Sequence, residues 1–396
     1  MLLTKTEILG RIKNLYNEAI KLDNSFDAVL IFDKTNMFYF SDTMQDGVFV
    51  LKRDGSYALF VRKSYERAKT ECAFPEVFPM QSYKDVAEFL QGTCKNLYLE
   101  KDITTLSITE RLKKYINYEK LNSIDLTVLR LRAVKSAYEL FCMKQSGEKV
   151  KYMLDNVIPK HFYEGMNEAE LSALIYLEMI KSGHHGVTRF SMFQTEMFIG
   201  TVAFSENTLY PTSFDGPCGM KGLSNAAPLV GDRERKLKKG DLIFVDIGYG
   251  VNGYHTDKTQ LYSYKEPPPR IAVEICGECI KIQQKAASML KTGAAPADVY
   301  KSITGGLDTK LLNNFMGFQS RRVKFIGHGV GLKIDEYPVI ASGFNEPLCE
   351  NVAVALEPKN GIENYGTVGV EDTYYVTKDG GKCLTGGGEE IRTIYK

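Results

Sequence analysis

Four carboxylates and one imidazole stand in strand-like segments of the C-terminal two-thirds of the chain: Asp246 in "VDIG", Asp257 in "YHTDKT", His328 in "GHGVGL", Glu357 in "LEP" and Glu371 in "VEDT". The segment "DLIFVDIGYGVNGYHTDKTQLY" reads as a buried strand, a turn and a second strand, because Asn252-Gly253 tolerates the positive φ of a type I′ turn. A two-residue turn there sets Asp246 opposite Thr259, and Asp257, two residues earlier, points to the same face. The two aspartates are then diagonal neighbours, roughly 7 to 8 Å apart at the backbone, close enough to meet around a metal ion. A pair of exposed strand aspartates is the alternative, but Asp246 follows the apolar run "LIFV" and is hard to bury unpaired. By alternation Glu357 shares a face with Ala353 and Ala355, which leaves room beside its carboxylate, and Glu371 lies opposite Val368, Val370 and Val376. Converging carboxylates without cations repel, and some would stay protonated at neutral pH. Two divalent ions remove the conflict, and oxygen ligands with one imidazole favour manganese, iron, cobalt or zinc. His328 is the candidate imidazole. Its flanking glycines, Gly327 and Gly329, would let the backbone approach the centre, although a lone histidine by itself is often structural.

Placing these residues requires a β-rich unit with helices packed on it. Residues 27–62 alternate apolar runs with turn signals, Asp54-Gly55 among them, and helical patterns in "YKDVAEFLQGTC" and "SITERLKKYINY" flank a strand "NLYLE"; this is a small α/β unit. From about residue 131 helical spacing runs for over twenty residues, and "NEAELSALIYLEMIKSG" gives a second helix ending at Gly183. The strands beyond are mostly joined by hairpins, which predicts an antiparallel sheet carrying helices and an α+β class. The boundary is placed at 128/129. A chain of 396 residues exceeds the usual size of a single core, which also favours two domains. Acidic and basic residues nearly cancel, at a net charge of +1, and neither a nucleic-acid nor a membrane surface is expected. No stretch approaches the roughly 18 apolar residues of a membrane span. The N-terminal stretch reads as an amphipathic helix, not a signal peptide. The eight cysteines are scattered, as suits reduced thiols in a cytoplasm, and Cys276 and Cys279 lie in a helical pattern with no second pair to complete a zinc site.

The five segments in this order resemble the ligand pattern of the pita-bread metallopeptidases, the family of methionine aminopeptidase, aminopeptidase P, prolidase and the non-peptidase relative creatinase. The likeness covers residues 129–396. The N-terminal unit, residues 1–128, with "TNMFYFSD" and the entry "LRAVKSAYEL", is similar to the extra domain of the prolidase, aminopeptidase P and creatinase branch. The resemblance implies a curved antiparallel sheet with helices outside and two metal ions bridged by Asp257 and Glu371. Asp246 would complete one ion's shell, and His328 and Glu357 the other's. It further implies a water between the ions acidified towards neutrality, with Glu357 as proton acceptor. The expected activity is hydrolysis of an N-terminal peptide bond by an Xaa-Pro aminopeptidase or dipeptidase acting on small peptides, with chains paired as homodimers.

Three positions depart from the peptidase pattern. Leu229 stands where the family carries a histidine before the first metal aspartate. Asp335, in "DEYP", stands where a second histidine is usual, and Gln260 replaces a common arginine. Replacement groups are sought in "SGHHGVTRFSMFQTE": His184 as proton shuttle and Arg189 as a fork for a substrate carboxylate. The alternative is that the histidines cap a helix end and Arg189 makes a structural ion pair. His255 shares a face with Asp257 by parity. Asp335 reads as a carboxylate proton shuttle, as a recognition group for a cationic substrate, or as a solvated loop residue. Two further readings stay open: a hydrolase or lyase of the same fold acting on a small C–N compound, and a binding module without catalysis.

Overall fold

The computed structural model describes residues 2–91 and 94–395, and the chain divides into two compact units, Met1–Arg132 and Ala133–Lys396.

The first unit holds a six-stranded mixed sheet in the order β4-β3-β2-β1-β5-β6. Its strands are β1 (Ala28–Ile31), β2 (Gly47–Lys52), β3 (Tyr57–Val61), β4 (Val77–Pro79), β5 (Asn96–Leu99) and β6 (Lys120–Ser123). The Asp54-Gly55 turn joins β2 to β3 as the dipeptide predicts, with Gly55 at φ +84°. One element departs from the expected run of strands: Lys34–Ser41, inside "KTNMFYFS", is a helix. Asp33 starts it by accepting from the amides of Thr35 and Asn36, which satisfies donors that a helix start leaves open.

The second unit is built on a nine-stranded sheet whose main path runs β13-β12-β14-β17-β9-β8-β7, antiparallel throughout. Its strands are β7 (Gly200–Phe204), β8 (Leu242–Val251), β9 (Tyr254–Tyr264), β12 (Phe325–Gly329), β13 (Glu336–Ala341), β14 (Ala353–Leu356) and β17 (Glu371–Val376). Two short strands, β18 (Gly381–Cys383) and β19 (Arg392–Ile394), add to β17 and β9, β19 in parallel. Two small hairpins stand apart, β10 (Gly317–Phe318) with β11 (Arg321–Arg322) and β15 (Lys359–Ile362) with β16 (Gly366–Gly369). In the glycine-rich segment after β17, Gly381–Cys383 pairs back on β17 as β18.

Helices Ala137–Tyr152 and Glu168–Lys181 follow the expected helical patterns, each opened by a reciprocal capping box. They pack on one face of the sheet, where Val245, Ile247 and Tyr249 of β8 join Val150, Leu171 and Ile175 in a buried cluster. The long helix Arg270–Met289 takes Leu242, Phe244 and Leu261 into a second cluster together with Cys276 and Cys279, which are packed thiols in the helix. All eight cysteines are free. No helix among the described residues is long and apolar enough to cross a membrane.

Candidate metal centre

The register of five neighbouring strands decides where the chemistry lies. Asn252 and Gly253 both take positive φ, 50° and 91°, and the turn they form pairs Asp246 with Thr259 and Gly248 with Asp257. Directly opposed residues of an antiparallel pair share a face, so Asp246 and Asp257 point the same way. The next strand over pairs Glu371 with Thr259, and beyond it Leu356 pairs with Asp372, which brings Glu357, one residue on, level with Glu371. His328 pairs with Ala355, two residues before Glu357 and on the same side by alternation. Two adjacent rows therefore cross the sheet. Asp246, Glu371 and Glu357 lie in one, and Asp257 and His328 in the next, about 7 Å along the strands.

The side chains meet as this placement requires. Ligand atoms of Asp257, His328 and Glu371 lie within 4.8 Å of one another. His328 Nε2 is 3.5 Å from Glu357 Oε1 and 3.6 Å from Glu371 Oε1. Its Nδ1 is 3.1 Å from the Gly329 carbonyl, and donating to that oxygen leaves the Nε2 lone pair to face the carboxylates. Gly248, opposite Asp257, leaves room for Ile334, whose Cδ1 would lie within 2.7 Å of a Cβ there. Behind the sheet the alternate residues form a second ion pair, fully buried. Lys258 Nζ donates to Asp372 Oδ1 at 2.7 Å, and Thr385, Gly387 and Gln283 supply that carboxylate's other donors. This pair braces β9 against β17 beneath Asp257 and Glu371.

The electrostatics are those of a cluster short of positive charge. Burial, together with the charge of Glu371, pushes Asp246 up to about 6, Glu357 up to about 7 and Asp257 well above its ordinary range. Glu371 opposes its own burial and is held at about 2 by the ammonium of Lys359 and by His328. His328 is raised to about 10 against its burial by the neighbouring carboxylates of Glu371 and Glu357. Glu371 Oε1 is buried without a hydrogen-bond donor. An oxygen-rich pocket with one outward-facing imidazole nitrogen and an orphaned carboxylate oxygen fits a divalent cation.

Lys359 was absent from the ligand pattern, and the structure puts it inside. It is fully buried and donates to Asp246 Oδ2 at 2.9 Å, Glu357 Oε2 at 3.1 Å and Glu371 Oε2 at 2.5 Å. The signal was in reach: Lys359 lies two residues beyond Glu357, on the same side if strand alternation is carried past Pro358.

The substrate and shuttle candidates fall elsewhere. His184 packs on Tyr249, a residue of the sheet face opposite Asp246, and its Nδ1 accepts from the Gly250 amide at 2.9 Å. That corrects its assignment as proton shuttle, since both its position and its bonding turn it from the carboxylates. His185 is the ring that lies over Gly250 on the Asp246 face, 4.7 Å from the His255 ring. His255 itself is spent on carbonyls, with Nδ1 3.0 Å from Gly331 O and Nε2 3.3 Å from Val187 O. Asp335 accepts from the backbone amides of Ser191 at 2.5 Å and Met192 at 3.2 Å, so its carboxylate pins the loop after Arg189. Arg189 lies close enough to lower the pKa values of His185 and His255, and its carbonyl accepts from the Ile334 amide. Leu229 is buried and carries no proton to move.

Comparison with known proteins agrees with this geometry. Residues 142–378 match the model of metallopeptidase family M24, and residues 11–134 match the creatinase/prolidase N-terminal domain. An Xaa-Pro dipeptidase of Pyrococcus furiosus is 26% identical over 365 residues, covering 92% of this chain and 94% of that one. A putative dipeptidase of Bacillus subtilis is 25% identical, covering 90% of this chain and 93% of its own. Among solved structures, the prolidase of Pyrococcus horikoshii superposes with a TM-score of 0.77 at 23% identity, covering 97% of this chain and 99% of its own. The X-Pro aminopeptidase of Thermotoga maritima gives 0.77 at 22% identity, with 95% and 100% covered. These likenesses show the shared fold, and the family match extends over most of the second unit. The chain belongs to metallopeptidase family M24, a family of divalent-metal hydrolases, in its creatinase/prolidase branch with the additional N-terminal domain.

Proposed function

We propose that the protein is a divalent-metal-dependent peptidase that hydrolyses the N-terminal bond of Xaa-Pro peptides, as a dipeptidase or aminopeptidase. The observation that carries this is the convergence of Asp246, Asp257, His328, Glu357 and Glu371 on one sheet face, with Glu371 Oε1 buried and lacking a donor. The relatives named for Xaa-Pro dipeptides support the substrate class. A divalent ion held there lowers the pKa of water towards neutrality and polarises a scissile carbonyl. Manganese, cobalt, zinc and iron all suit the donors.

The residues of the chain do the rest. His328 presents Nε2 to the centre because Nδ1 is engaged by the Gly329 carbonyl. Glu357, whose Oε1 lies 3.5 Å from His328 Nε2, is the candidate to take a proton from the attacking water and return it to the leaving amine. Asp335 is a positioning residue that fixes residues 191–192, and Arg189, in the segment it anchors, is the candidate group for a peptide carboxylate. We assign the enzyme to the cytoplasm and to homodimers, the latter tested by sedimentation.

Purified protein supplied with manganese or cobalt turns over di-, tri- or longer Xaa-Pro peptides under this proposal. Failure across all three lengths with each of the candidate metals would sink it. Leu229 and Asp335, in place of two histidines, favour a second reading: a hydrolase or lyase of the same fold acting on a small C–N compound. A metabolite-pool screen that finds peptide turnover alone excludes it.

A further inference from the structure

Lys359 gives the centre a cation of its own. Three carboxylates converging on one point make a cation's coordination shell, and the ammonium fills it with one proton for each acid, Asp246, Glu357 and Glu371. The place is built for the lysine. Its carbonyl accepts from the Met316 amide at 2.8 Å, and its strand pairs it with Gly369, where a Cβ would come within 2.9 Å of Lys359 Cγ. The Phe244 ring lies 5.7 Å from the ammonium and closes another side.

The two glutamates divide their oxygens between two positions. Oε2 of Glu357 and Oε2 of Glu371 face Lys359, whereas Oε1 of each faces His328 Nε2. The second position is also where Asp257 joins the cluster. One pair of bridging carboxylates therefore separates two cation positions, and the chain itself occupies one of them.

We propose that the Lys359 ammonium replaces one of the two expected metal ions, so that the centre binds a single divalent ion among Asp257, His328, Glu357 and Glu371 while Asp246 serves the lysine. This rests on the metal-centre reading above, and it revises the expectation of two ions. Space argues for it. An ion bound at about 2.1 Å to the oxygens of Asp246 and Glu371 would overlap the ammonium nitrogen already held by them. Lys359 thus acts as a positioning residue, holding Glu371 Oε2 so that Oε1 faces the remaining ion.

The test is the metal stoichiometry of the full chain. Protein loaded with excess manganese and dialysed is expected to carry one ion per chain by elemental analysis, with the six-line resonance of an isolated manganese. Lys359→Gly removes both charge and stem and is expected to double occupancy to two ions, with an exchange-coupled signal. Two ions in the unaltered protein would overturn the inference, and Xaa-Pro turnover by that same sample would show that the peptidase reading survives it. No tightly bound ion in the unaltered protein would overturn both. Lys359→Gly that folds yet stays at one ion would show that Lys359 is not what excludes the second. Should that variant fail to fold, the stoichiometry of the unaltered protein decides.

Discussion

Glu371 holds together contacts of two kinds: one oxygen lies against the Lys359 ammonium and the other, without a donor, faces His328. Around it, Asp246, Asp257 and Glu357 are driven towards neutrality by burial and by its charge. A bound cation reverses that drive, so each ligand's worth is measured by occupancy. Asp257→Ala and His328→Ala are each expected to lower bound metal to background and to cut turnover at least about a hundredfold, since one lost ligand removes a large part of the shell. Elemental analysis alongside peptide hydrolysis checks both, and full occupancy in either variant would mean that the residue is no ligand. Asp335 predicts a different signature. Asp335→Ala frees the amides of Ser191 and Met192, so hydrogen exchange across residues 190–194 should quicken and KM should rise more than kcat falls. An unchanged KM with a collapsed kcat would instead make Asp335 a proton carrier.

At the scale of elements, the sheet positions the site through register, and register was open to reading. The Asn252-Gly253 turn put Asp246 and Asp257 on one face, whereas the alternation around Glu357 and Glu371 said which neighbours share their face and left it to the pairing of β9, β17 and β14 to align them with the aspartates. Where period gives no guidance, the reading was weaker. The loop after Gly183 is set by hydrogen bonds and carries no alternating pattern, so nothing in the sequence distinguishes His185, which lies on the Asp246 side, from His184, which packs on Tyr249. The helix Lys34–Ser41 was hidden in a segment rich in aromatic residues, and its cap at Asp33 was its clearest mark. Lys359 follows "LEP" directly, and Pro358 interrupts the strand pattern that would carry its side chain to the face of Glu357. The histidine loop carries a prediction of its own. Burial lowers His184 to about 4, with His255 adding to it, so below 6.5 the unfolded chain takes up a proton that the folded chain refuses. Stability is fully present above pH 6.5 and falls as pH drops towards 4. Denaturant unfolding of the protein and of His184→Gln across that window checks the sign; an equal slope in both would remove His184 from the account.

On the scale of the whole molecule, the two units show different degrees of legibility. The second unit declared itself through spaced chemical residues in strand contexts, and the first through the small α/β pattern of its strands and helices. Chain pairing depends on surfaces whose partners no single chain reveals, which is why it stands as a matter for sedimentation. The central claim is that the carboxylate–histidine face is a metal centre for Xaa-Pro hydrolysis. It is tested most directly by measuring bound metal and turnover of an Xaa-Pro dipeptide on the same samples during stepwise reloading of the stripped protein. The account predicts no turnover in the stripped chain and a rise in proportion to occupancy. Turnover that persists without metal, or none at full occupancy, would contradict it.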